Sequence, residues 1–290
     1  MARMTKLARF MRGGLFSAFV LAVCVPAVAA ERNDIKSCYD FAKIEPSTAK
    51  VVSGRHLFVA VDGTFSPDIN IKKLVHEKVH LFLQPGDKIT IISFSAYVKD
   101  FYTDVLFSGR LDTDIADRDD VSKKSLMTFD NCMAKQTQFV KTKVDAHIKN
   151  AFKPHDADVP KTEIITNLSQ VIAPQVAVNQ AERRVLLLVS DMVENSDVTS
   201  FYSKNTLKVI APEQEMQKVQ KANMLSDFKQ ADIYVLGAGW VPATSKGFRG
   251  GQVMLPLKQF WQQYFEASNA QLKEFGQPVL MSDMSRPKIG

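Results

Sequence analysis

The chain has 290 residues, of which 46% are hydrophobic and 23% are charged. These are the proportions of an ordinary globular protein, and they exclude a disordered chain, a collagen and a coiled coil. The formal net charge is +6, but four basic residues and no acidic residue lie within the first 30 positions. The other 33 basic and 31 acidic residues nearly balance, which argues against nucleic-acid binding.

The N-terminus has the pattern of a secretory signal peptide. A basic region precedes an apolar run, Leu15 to Val25, and the small residues Ala27-Val28-Ala29-Ala30 follow, as signal peptidase requires. The run is shorter than the roughly 20 apolar residues that span a bilayer. We therefore predict a signal peptide over residues 1–30 and a periplasmic or secreted mature protein without a membrane span. The alternatives are an uncleaved anchor and lipidation at Cys24.

Two cysteines remain in the predicted mature chain, Cys38 and Cys132. An oxidising compartment favours their pairing. A bridge would connect the N-terminal extension, residues 31–54, to a central segment and close a loop of about 95 residues. The chain-entropy model values such a loop at about 4–5 kcal/mol as an upper figure. The alternative is two separate thiols.

The main domain, predicted over residues 55–275, begins with alternating strands and a helix. A buried strand is predicted at 56–62 and a second at 88–94. A third strand, 97–107, follows closely enough to pair antiparallel with the second. Between the first two strands, apolar residues recur on one helical face, at Ile71, Val75, Val79 and Phe82.

Residues 108–160 are less regular, and we interpret them as an insertion or a long connection. An acidic stretch, Asp112 to Asp120, precedes a helical pattern. A linker with Pro154 and Pro160 follows it. The helical pattern rests on Val140, Val144 and Ile148.

The alternation then resumes and completes the predicted fold. A helix begins near Thr162, a very apolar strand spans 184–191, a helix covers 212–230 and a strand covers 232–237. A last helix precedes the C-terminal tail, residues 276–290. Its apolar stripe consists of Leu257, Phe260, Trp261, Tyr264, Phe265, Ser268 and Leu272. The pattern predicts a doubly wound α/β fold, with a mostly parallel sheet flanked by helices and one antiparallel edge strand.

Oxygen-bearing side chains follow the predicted strands. Asp62, Thr64 and Ser66 form a D-x-T-x-S pattern where the first strand ends. Thr162 begins a later helix, and Asp191 ends the most apolar strand. Since the carboxyl ends of parallel strands meet at one edge, these five side chains are expected to form a cage there. Hard divalent cations prefer such oxygen ligands. The alternative is that these residues only cap helices.

Here the sequence resembles the von Willebrand factor A-type (vWA) domains of secreted bacterial proteins. The resemblance lies in Val59 to Ser66, Gly86 to Ser95, Val185 to Asp191 and Ile233 to Gly239. It implies a metal-ion-dependent adhesion site holding Mg²⁺ or Mn²⁺. By position, Thr64 and Ser66 would contact the metal, Thr162 and Asp191 would bind it directly or through water, and Asp62 would anchor the site. One coordination position would accept an acidic residue of a protein partner.

The sequence departs from this family at two of the three loops. Small residues normally follow the threonine of the second loop, whereas Glu163 follows Thr162 here. Thr166 is therefore a competing ligand. In the third loop Met192 stands where the family has glycine. We expect a metal site whose ligand identity at the second loop stays open.

A rival pattern, H-E-x-x-H, occurs at His76, Glu77 and His80. On a helix the two imidazoles are positioned to bind zinc, with the glutamate as general base. The histidines lie beside the apolar face, and no further glutamate follows before Glu163. Surface histidines are therefore the preferred interpretation. The sequence predicts a non-enzymatic, metal-dependent protein-binding module of the cell envelope; the alternatives are a zinc peptidase and a metal-free vWA scaffold.

Overall fold

Six strands form one sheet in the computed structural model, which describes residues 32–49, 54–95, 103–153, 162–178, 180–203, 206–240 and 250–285. In order across the sheet, the strands are Asp104–Arg110 (β3), Lys88–Phe94 (β2), Arg55–Asp62 (β1), Arg183–Val189 (β4), Ala231–Leu236 (β7) and Ala270–Phe275 (β8). A separate hairpin pairs Tyr202–Ser203 (β5) with Thr206–Leu207 (β6).

All neighbours in the six-stranded sheet are parallel except β2 and β3. A parallel crossover needs roughly a dozen or more residues, and the connection from β2 to β3 is shorter. The predicted mostly parallel sheet with one antiparallel edge strand is therefore confirmed, and the fold is vWA/Rossmann-like. The edge strand lies at 104–110 rather than 97–107, and residues 96–102 are outside the described ranges.

Two predicted helices end earlier than the apolar pattern indicated. The helix predicted to reach residue 230 ends at Lys221, close to Asn223, whose φ of 55° is left-handed. The last helix ends at Ala267, and the turn at Asn269, with φ of 52°, redirects the chain. Leu272 therefore lies in β8, a strand of the six-stranded sheet that the helical pattern did not predict.

Helices cover both faces of the sheet. Their bounds are Ile69–Phe82 (α2), Lys123–Ala151 (α3), Ile164–Asn167 (α4), Ala173–Ala177 (α5), Pro212–Lys221 (α6) and Gly251–Ala267 (α7), after a short Cys38–Ala42 helix (α1). Helices α4 to α7 share one apolar core with the sheet, and α2 and α3 share the other. The aromatic residues of the α7 stripe are fully buried, as predicted, and the Trp261 indole donates to the Met192 carbonyl at 2.9 Å.

The segment 108–160 contributes directly to the main core. Its long helix α3 buries Val140, Val144 and Ile148 among side chains of α2 and the sheet. The predicted helical face is therefore the face that packs. The linker prolines lie at 154–160, outside the described ranges.

The N-terminal segment, residues 32–49, is attached to the sheet edge and to α3. Cys38 forms a disulfide with Cys132 of α3, with the Cα atoms 5.6 Å apart, as predicted. Asp34 donates its backbone N–H to the Ser108 carbonyl of β3, and its carboxylate accepts from the Ser108 N–H. A small third core with Tyr39 and Phe129 lies between this segment and α3. The segment therefore covers the exposed edge of β3.

The predicted signal peptide and Cys24 lie outside the described residues. Within the described ranges, no helix is long and apolar enough to cross a membrane.

Candidate functional site

The D-x-T-x-S turn follows β1 directly and is organised by Asp62. This residue is fully buried. Its Oδ1 accepts hydrogen bonds from the Thr64 backbone N–H at 2.9 Å and from Thr64 Oγ1 at 2.6 Å. The turn leads into α2, where Asp68 accepts from the N–H groups of Asn70 and Ile71. The strand end and the helix cap thus fix the turn from both sides.

The three predicted loops meet around Asp62. Ser190, at the end of β4, donates from Oγ to Asp62 Oδ2 at 2.8 Å. On the other side, Thr64 Oγ1 lies 3.1 Å from Thr162 Oγ1. Because Thr64 already donates to the carboxylate, Thr162 donates to Thr64. A continuous chain of hydrogen bonds therefore joins the carboxyl ends of β1 and β4 to the loop before α4.

The other predicted residues adjoin this chain of hydrogen bonds in the sequence. Asp191 directly follows Ser190 and is partly exposed, and its Oδ1 accepts from the Val193 N–H at 3.0 Å. Ser66 is exposed on the turn after β1. At the second loop, Thr162 makes the contact to Thr64, whereas Thr166 is buried within α4.

Gly237 at the end of β7 brings a fourth segment against the turn. Its φ is 105°, a conformation that favours glycine, and a Cβ there would lie 2.6 Å from the Phe65 ring. The same ring contacts Trp240 edge to face, with centroids 5.7 Å apart. Trp240 therefore packs beside the site and is partly exposed.

The electrostatics of Asp62 favour a nearby positive charge. Burial raises the pKa of Asp62 above its ordinary value, although hydrogen bonds from Thr64 and Ser190 oppose the shift. The principal contributions to this balance are burial and hydrogen bonds. A divalent cation would stabilise the ionised carboxylate.

Three residues that sequence reasoning missed position the second and third loops. Ser190 bonds to Asp62, and its place before Asp191 at a strand end is a signal that could have found it. Asn167 donates from Nδ2 to the carbonyls of Ser95 and Glu163, each at 2.7 Å. Glu194 accepts from the Ile165 N–H at 2.9 Å through Oε2. Nothing in the local sequence distinguishes Asn167 or Glu194 from ordinary polar residues.

Glu194 is a buried carboxyl group between the second and third loops. Its exposed fraction is zero, and its Oε1 has no hydrogen-bond partner in the described part of the chain. Burial raises the pKa of Glu194 to about 8. Next to it, Thr162 and Asn195 exchange two backbone hydrogen bonds of 3.0 Å. The loop that carries Thr162 is thus held to the segment after Asp191.

The donor set of this site consists of oxygen atoms only. It offers two carboxylates and three hydroxyl groups, which suits a hard cation such as Mg²⁺ or Mn²⁺. Clusters of three or more His, Cys, Asp or Glu side chains suited to a metal are absent from the described ranges. A cation bound at this edge would therefore need hydroxyl ligands beside the carboxylates.

The H-E-x-x-H histidines share a partner on α3. His76 Nδ1 and His80 Nε2 lie 2.6 and 2.8 Å from the same oxygen, Asp145 Oδ1. Glu77 is exposed on α2. These contacts link α2 to α3 and give the two histidines a structural role.

Comparison with protein-family models finds no match, and no curated protein matches. Similar solved structures include an aerotolerance-related membrane protein from Bacteroides fragilis (12% identity, TM-score 0.37, 77% of this chain and 92% of that one). Another is the pilus adhesin SpaC from Lactobacillus rhamnosus GG (13%, TM-score 0.37, 77% and 28%). A third is an uncharacterised membrane-spanning protein from Vibrio fischeri (13%, TM-score 0.25, 76% and 92%). This chain thus spans only 28% of the adhesin's length.

Proposed function

We propose that this protein is a non-catalytic binding module that holds a protein partner through a divalent cation at the edge of its sheet. The observation that carries the proposal is the chain of hydrogen bonds from Ser190 through Asp62 and Thr64 to Thr162. It brings together side chains from three separate loops, and helix capping alone does not require such convergence.

The residues divide into ligands and a support. Thr64, Ser66, Thr162 and Asp191 would hold Mg²⁺ or Mn²⁺, and the cation would supply a Lewis acid to which an acidic residue of the partner binds. Asp62 keeps the Thr64 hydroxyl proton directed inward, so that the oxygen lone pairs face the cation. The Thr162–Thr64 hydrogen bond is the contact that both hydroxyl oxygens would exchange for the cation.

The proposed location is the periplasm or the cell exterior. The signal-peptide pattern of residues 1–30 supports export, and the Cys38–Cys132 disulfide suits an oxidising compartment.

Asp62→Asn is expected to weaken Mg²⁺ and Mn²⁺ binding by about 10–100-fold, since residues that orient metal ligands have effects of this size. The asparagine keeps the shape of the side chain but removes the charge. Calorimetric titration of the purified protein with Mg²⁺, Mn²⁺ and Zn²⁺ measures the change. Asp68→Asn is the matched control, because it removes a charge at the nearby helix cap and should leave affinity within about twofold. Equal Mg²⁺ and Mn²⁺ affinity in wild type and Asp62→Asn would contradict the proposal.

Thr162→Val and Thr166→Val separate the two candidates at the second loop. Valine has nearly the shape of threonine but no hydroxyl group. Only Thr162 contacts Thr64, so Thr162→Val is expected to lower Mg²⁺ affinity at least about tenfold, and Thr166→Val is expected to leave it unchanged. The same calorimetric titration measures both affinities. A loss of Mg²⁺ affinity in Thr166→Val but not in Thr162→Val would assign the ligand to Thr166.

A further inference from the structure

A groove lies between α1 and α3, on the disulfide-linked side of the molecule. Its volume is about 380 Å³. The residues that line it are Lys36, Ser37, Phe41, Asn131, Cys132, Lys135, Gln136 and Phe139. None of them belongs to the proposed cation site.

Two phenylalanines of this groove are exposed to solvent. Phe41 is 70% exposed and Phe139 is 50% exposed. They are the two aromatic members of the set of large hydrophobic side chains that stand exposed on the described residues. Exposed aromatic rings facing one groove are typical of a binding surface, because aromatic anchors supply much of the affinity at protein interfaces.

The floor of the groove is fixed before any partner binds. The Cys38–Cys132 bridge joins its two walls. Gln136 donates from Nε2 to the Lys36 carbonyl at 3.1 Å and to Asp112 at 2.7 Å. A preformed surface loses little conformational entropy on binding, which favours affinity.

The groove is positively charged. Lys36 and Lys135 line it, both are exposed, and no acidic residue is among the lining side chains. Lys143 lies next to it, with its ammonium group 5.4 Å from the Phe139 ring centre. The carboxylate beneath, Asp112, accepts hydrogen bonds from Ser37 and Gln136 and so points to the floor.

We propose that this groove binds an extended acidic segment of a partner protein, with apolar side chains placed against Phe41 and Phe139. Charge complementarity with Lys36 and Lys135 selects the acidic residues, and the rings supply the apolar contact area. The surface acts independently of the cation site, so it would still bind in the presence of a chelator.

The probe is a short fluorescent peptide that alternates glutamate with leucine, titrated by anisotropy into the full protein in EDTA. Its counterpart alternates lysine with leucine. The acidic peptide is expected to bind at least about tenfold more tightly, and added salt should weaken it. A carbodiimide, which joins carboxylates to amines, should attach it to Lys36 or Lys135. Equal binding of both peptides, or attachment elsewhere, overturns the proposal.

Variants locate the surface. Phe41→Ala, Phe139→Ala and the double change Lys36→Glu with Lys135→Glu are each expected to weaken the acidic peptide at least about tenfold. Leu255→Ala and Lys258→Glu, exposed on α7 across the sheet, are the matched controls and should change affinity less than about twofold. Unchanged binding in the groove variants contradicts the proposal. So does binding to phosphatidylglycerol vesicles without peptide binding, which would assign the groove to membrane lipid.

Discussion

Breaking the Cys38–Cys132 bridge is expected to lower the free energy of unfolding by up to about 4–5 kcal/mol. The bridge spans 94 residues of sequence, and closing so long a loop removes much conformational entropy from the unfolded chain. It also joins α1 to α3 across the small core that contains Tyr39 and Phe129. Urea unfolding with and without a reductant measures the difference.

The double variant Cys38→Ala, Cys132→Ala is the control for this experiment. It should show the stability of the reduced wild type and no response to the reductant. If reduction shifts the wild-type unfolding free energy by less than about 1 kcal/mol, the bridge does not stabilise the fold and the expectation is wrong.

Stability is expected to fall as pH rises from about 4.5 to about 8 because of Glu194. The pKa of this carboxyl group is raised from 4.5 to about 8 by burial. In the unfolded chain the group ionises above pH 4.5, whereas in the folded chain it stays protonated until about pH 8. The stability that the neutral carboxyl group contributes is therefore fully present below pH 4.5. Between pH 4.5 and pH 8 the free energy of unfolding falls by about 1.4 kcal/mol for each pH unit, so the total loss is about 5 kcal/mol.

Glu194→Gln tests this directly, because glutamine resembles the neutral acid and does not ionise. The variant is expected to be about 3 kcal/mol more stable than wild type at pH 7 and equal to it near pH 4. Urea unfolding in EDTA across this range is the measurement. Glu77→Gln, at an exposed position on α2, should follow the wild-type profile. If the unfolding free energy of Glu194→Gln changes with pH in parallel with that of wild type, the buried carboxyl group does not set the pH dependence.

The sheet was predictable because its central strands are nearly continuous apolar runs. The runs at β1, β2, β4 and β7 have the length and β-branched content of buried parallel strands. Strand β8 was missed because Leu272 continues the 3.6-residue period of α7 by coincidence. Only tertiary pairing with β7 distinguishes it, and periodicity does not contain that information.

The candidate site was predictable to the extent that strand ends share an edge. That rule placed Asp62, Thr64 and Thr162 together, and the structure gives their contacts. The supports were not predictable. Asn167 and Glu194 act through carbonyl and N–H groups distant in sequence, and those partners become known only when the loops are assembled.

The N-terminal segment also imposes an order on folding. Strand β3 offers its free edge to Asp34, and the segment is secured by a cysteine whose partner lies 94 residues further along the chain. During synthesis the segment emerges before β3 but can be bridged only after Cys132, about a third of the way along α3, has been made. Until then the β3 edge is a template on which another chain can pair. Oxidation therefore closes the interval in which the nascent protein is open to edge-to-edge aggregation.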